Sequence, residues 1–193
     1  MTRRFPRTGV RLTAAGLALF LLLPPLVATA AEAEEEKEAS GPLVVFSDDF
    51  MFSVKEPEGW TADIENAPKL SAGVIFYREG ETFEKRATTI SIRISKKVDE
   101  DTAKDLSHDM EQFKTLYPDV EFLPLTAPRK GYKSFAKLFA IKNSSYHYVC
   151  YLNPGKNAPY LFVVFMEKKK NKAGKEELQA FRDIVRTIDW IPK

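Results

Sequence analysis

An α+β domain is predicted, an antiparallel sheet with helices on both faces in an α/β/α sandwich. Three features of the 193-residue chain carry that expectation. Two amphipathic helical stripes lie far apart in sequence, strand-like segments with turn compositions between them fill the interval, and the last strand is apolar on both sides. A strand apolar on both sides needs cover on both sides.

Residues 1–30 are read as a cleavable signal peptide. Arg3, Arg4, Arg7 and Arg11 precede the uncharged stretch Leu12 to Ala30, which ends in the small-x-small pattern Ala28-Thr29-Ala30. Pro24-Pro25 interrupts the apolar run, which argues against a retained membrane span. The pair Arg3-Arg4 leaves Sec and twin-arginine export both open. Residues 31–42, with five glutamates and no large apolar side chain, form an acidic, disordered leader. A single globular domain then spans 43–193, enough chain for one core. This reading makes the protein exported, periplasmic or secreted.

All 27 acidic residues follow residue 30, as do 25 of the 29 basic ones, so the chain beyond the leader peptide carries a net charge of −2. A nucleic-acid binder would keep a strongly basic domain, so nucleic acid is not expected as a partner. The one cysteine, Cys150, excludes an internal disulfide.

The domain opens with a short strand pair running into FSVKEPEGW. Pro57 sets the direction in which the chain leaves the strand, Gly59 permits a backbone other residues resist, and Trp60 folds back as an apolar lid. A direct ligand contact is the second reading of Trp60. Thr88 to Ser95 alternates Ile90, Ile92 and Ile94 against polar neighbours, a strand with one wet face. In Asp101 to Tyr117 the residues Ala103, Leu106, Met110, Phe113 and Tyr117 recur at helical spacing, and Pro118 ends the helix. Strands at 132–141, 146–152 and 160–166, separated by Asn143-Ser144 and by NPGKNAP, form an antiparallel meander. Lys175 to Ile188 closes the domain as a helix with the stripe Leu178, Phe181, Val185 and Ile188.

This order of elements, with the aromatic-x-x-x-x-Pro-x-Gly-Trp corner and the closing FRDIVRTIDWI, resembles the PsbP-like fold over nearly all of 43–193. The resemblance implies the fold, with binding and assembly factors among its members. It implies no catalytic motif.

No catalytic residue, metal site or cofactor is expected. His147 and Cys150 stand three apart in one strand and so face opposite sides. His108 shares a helix face with Asp101, Asp105 and Gln112, a pattern that fits a solvated surface. Phosphate loops, G-x-S-x-G and H-E-x-x-H are absent from the sequence. A hydrolase assembled from Asp48, Asp49 or His108 is the minor enzymatic alternative.

Candidate interaction residues are Trp60, the tyrosines Tyr132, Tyr146, Tyr148 and Tyr151, and Lys168, Lys169, Lys170 and Lys172 of the run EKKKNKAGKEE. The tyrosines hold more phenolic hydroxyls than a dry core accepts without partners, so some should reach a groove. The lysines read first as a soluble exposed connection, with an acidic partner or a membrane surface as the binding alternative. The resulting expectation is an exported, non-enzymatic binding or assembly factor acting on a protein partner at the cell envelope. The alternative is a carrier or sensor of a small apolar ligand in an aromatic groove.

Overall fold

The computed structural model describes residues 41–97 and 101–192. The segment read as a signal peptide and most of the acidic leader lie outside the described residues.

The described chain begins with a hairpin, β1 (Leu43–Phe46) and β2 (Met51–Val54). The Ser47 hydroxyl shapes its turn by accepting from the backbone N–H groups of Asp49 and Phe50. The corner then delivers β3 (Trp60–Asp63), a 3-10 turn at Ala67–Leu70, β4 (Val74–Arg78) and β5 (Thr89–Lys96). Helix α1 (Thr102–Leu116) follows, then β6 (Val120–Pro124), β7 (Lys133–Ile141), β8 (Ser145–Asn153) and β9 (Tyr160–Lys169). Helix α2 (Lys175–Thr187) and the short β10 (Asp189–Trp190) come last.

Both helix ends are set by local chemistry. The Asp101 carboxylate accepts from the Ala103 N–H at the start of α1, and Tyr117 closes its end on the Phe113 carbonyl before Pro118. At the start of α2 the Glu177 side chain reaches back to the Gly174 N–H at 2.8 Å.

The main sheet has seven strands in the order β3-β4-β5-β9-β8-β7-β6, all antiparallel. A second sheet, β1-β2-β10, joins the two ends of the domain. The register of the main sheet sorts its side chains by face. Ile90, Ile92 and Ile94 lie across from Met166, Val164 and Phe162, and this face packs against Phe181, Ile184 and Val185 of α2 and against Ile188 at its end. Those four residues are fully buried, each contributing about 1.5–3 kcal/mol relative to exposure. The small sheet covers the same face, with the Phe52 and Phe162 rings 5.3 Å apart, edge to face. On the opposite face Leu106, Met110 and Phe113 of α1 meet Phe139, Val149, Tyr151 and Leu161.

The antiparallel sheet, both long helices and the meander match expectation. The sandwich description is corrected. The domain is sheet-dominated, each face of the main sheet carries one helix, and the small second sheet shares one face with α2. The opening strand pair was anticipated, but its union with β10 in a second sheet was not, because β10 is two residues long and pairs with β2 across a separation in sequence that periodicity does not sense.

Candidate functional site

Large apolar side chains stand exposed at two main places among the described residues. Val44 and Phe46 line the outer side of β1, and Leu116 and Tyr117 end α1 at 72% and 42% exposure. Only the second pair adjoins a built surface.

That surface surrounds the β7–β8 turn. Asn143 takes a left-handed backbone with φ 58°, and the Ser144 N–H donates to the Ile141 carbonyl. The lysine run is tied to the same turn, because the Lys170 N–H donates to the Ser144 carbonyl at 2.8 Å. Two shallow hollows flank the turn and share Ile141, Lys142 and Asn143. One, of about 470 Å³, lies beneath Leu116 and Tyr117. The other, of about 260 Å³, lies on the opposite side against Leu123, Tyr146 and Lys172, with the Lys172 ammonium 6.0 Å from the Tyr146 ring centre. Helix α2 leaves this part of the sheet open, so Tyr146 stays half-buried. Lys142 and Lys172 line the hollows together with Asp119 and Glu121.

The other tyrosines are placed differently. Tyr148 points toward α2, and its hydroxyl accepts from the Ala173 N–H. Tyr151 points toward α1, where its hydroxyl donates to Asp109 and burial raises its pKa. Tyr132 donates to Asp189 and accepts from the Trp190 N–H, and burial together with Asp189 pushes its hydroxyl up to about 12. These hydroxyls find partners inside the fold, on both faces of the sheet, so the four tyrosines form no common groove. The apolar-ligand carrier is corrected on that ground.

Trp60 is 4% exposed and belongs to the main core. Gly59 makes the corner with φ 71°, the Trp60 N–H closes it on the Pro57 carbonyl, and Arg78 lies over the indole. An open groove runs outside this corner along α2, crossed by the Arg78–Glu176 ion pair. Of the lysines, Lys168 turns inward to Glu177, whereas Lys169, Lys170 and Lys172 are exposed.

The catalytic candidates do not converge. His108 is exposed on α1 beside Gln112, while Asp48 and Asp49 belong to the β1–β2 turn of the small sheet. His147 faces α1 and Cys150 faces α2, where burial pushes the thiol up to about 12. His147 lies among Phe113, Phe165 and the Ser145 hydroxyl, and burial lowers its pKa. Among the described residues no three His, Cys, Asp or Glu side chains gather as a metal site.

Leu116, Tyr117, Ile141 and Lys142 were not anticipated as surface residues. The available signal was the pair of large apolar residues directly before Pro118, where a helix ends and its last turn loses cover.

The geometry defines a sheet-dominated α+β domain with open, shallow surfaces. No family model matches the chain, and no curated protein does. Among solved structures it is similar to the E65A mutant of protein Mog1, at 16% identity and a TM-score of 0.50, covering 79% of this chain and 97% of that one. The Saccharomyces cerevisiae Ran-binding protein Mog1p also matches, at 16% identity and a TM-score of 0.49, covering 79% of this chain and 96% of that one. At that identity the likeness is one of fold.

The comparison corrects three expectations. The fold is matched by a solved structure of Mog1, so the PsbP resemblance is withdrawn. The Pro-x-Gly-Trp corner is a turn device serving any sheet that must cover its edge with a large ring, and it does not discriminate families. The exported envelope factor and its periplasmic or secreted location are withdrawn as well, the matched fold being that of Mog1.

Proposed function

We propose that this chain is a protein-binding domain without catalytic activity, and that the end of the sheet around the β7–β8 turn receives its partner. One observation carries the reading. Leu116 and Tyr117 stand exposed at the rim of one of two hollows that meet at a single turn, with Lys142, Lys172, Asp119 and Glu121 as the charged residues of their lining. Exposed apolar anchors within a polar rim are the anatomy of a recognition surface. The exposed apolar pair favours a partner segment that presents an apolar side chain, and charges of both signs around it would set the register.

The test places a photo-crosslinking residue at Tyr117, at Tyr146 and, as a control, at Glu58 beside the Trp60 groove, in cells that make the protein. The expected result is one polypeptide captured from both positions near the turn, absent at Glu58 and lost with Leu116→Asp. Equal capture at all three positions, or none, overturns the reading.

A further inference from the structure

The main sheet has a second open area, on the face that carries α1 but beyond its reach. There β5 and β9 floor a hollow of about 300 Å³, the small end of the range for ligand sites. Two arginines line it, and each is held in place by a phenyl ring. The Arg86 guanidinium lies 3.8 Å from the Phe83 ring centre while its Nε donates to the Thr89 hydroxyl at 2.6 Å. The Arg93 guanidinium lies 5.0 Å from the Phe165 ring centre. Phe165 is the cross-strand neighbour of Ser91, so Arg93 leans back along β5 toward Thr89, where Arg86 is anchored. Among the described residues, neither guanidinium is in an ion pair with a carboxylate. Lys169 adds a third cation at the end of the hollow, and Glu84 and Glu167 also line it.

We propose that this hollow binds a small phosphate monoester carrying hydroxyl groups. Two stacked guanidiniums present planar donor pairs suited to phosphate oxygens, and stacking has already restricted their freedom. The three cations outnumber the lining carboxylates Glu84 and Glu167 by one, which leaves the hollow net positive, and two planar forks can engage the several oxygens of a phosphate where a single carboxylate offers two. Glu84 and Glu167, which cannot donate, accept from the ester's hydroxyls. The site is separate from the β7–β8 turn and does not depend on the protein-binding reading.

The experiment titrates the intact domain with inorganic phosphate, with glycerol phosphate and with glycerate, following the arginine Nε–H and backbone signals by NMR. Saturable shifts at Arg86 and Arg93 are expected with both phosphates, tighter for glycerol phosphate, with glycerate weaker than either. Arg93→Lys and Arg86→Lys should each weaken binding about tenfold, the scale of one charge-assisted hydrogen bond. Both side chains lie at the surface, so the variants should keep their fold, checked by an unchanged spectrum elsewhere. Shifts confined to Lys168–Lys172, equal affinity for glycerate, or binding unchanged in both arginine variants would each overturn the proposal.

Discussion

The Lys168 ammonium lies 2.7 Å from Glu177 Oε1, joining the end of β9 to the first turn of α2 in a pocket that leaves the two side chains 17% and 11% exposed. The Thr88 hydroxyl donates to the same oxygen at 2.6 Å, and the other oxygen takes the Gly174 N–H. One carboxylate thus fixes a strand end, a neighbouring strand and a helix cap. Glu177→Ala should cost about 3 kcal/mol, because it strands Lys168 and opens the cap together. Urea denaturation of the variant checks this, with Glu176→Ala, on the exposed side of the same turn, as a comparison expected to change little.

The same carboxylate sets an acid limit. Burial raises its pKa, but Lys168, Thr88 and Gly174 outweigh that and hold it below the ordinary value of 4.5. A lowered folded pKa means the stabilisation is complete above 4.5 and is lost as pH falls through the folded value. Melting temperatures below that pH should fall more steeply in the wild type than in Glu177→Gln.

His147 acts at milder acidity. Its burial lowers the pKa from 6.5, partly opposed by Glu167. Stability is therefore full above 6.5 and declines as pH drops toward the folded value, where the unfolded chain binds the proton more readily. His147→Phe, placed among Phe113, Phe139 and Phe165, should flatten the stability profile between about pH 7 and pH 5. An unchanged slope would remove His147 from the account.

Trp60→Ala should cost about 3–5 kcal/mol, since it empties a space at 4% exposure and leaves Arg78 without its ring. Calorimetry decides it. A melting temperature equal to wild type would mean that the indole is not part of the core.

Cys150 should resist thiol reagents until the protein unfolds, because it is fully buried and burial holds its thiol up at about 12. Labelling rates in increasing urea should track the unfolding transition.

The helices and the meander were legible because their signals are local. The stripe Leu106, Met110, Phe113 and the doubly apolar β9 each declare a period or a requirement for cover within a dozen residues. Opposite facing of His147 and Cys150 followed from the pleat alone. What stayed hidden is relational. No pattern in the chain announces that Tyr148 and Tyr151 satisfy their hydroxyls on opposite faces, or that Arg93 and Arg86 converge on one hollow. These facts depend on strand order, where β5 keeps β4 on one side and joins the distant β9 on the other.

The three-stranded sheet draws Leu43–Val54 and Asp189–Trp190 into one ladder. On a ribosome, β1 and β2 would emerge early and wait through the synthesis of about 130 further residues before β10 arrives. Until then Phe52 lacks its finished neighbourhood, and the hairpin is the segment most open to chaperones. Closure of this clasp is a long-range event and should be the slowest step on the way to the native state.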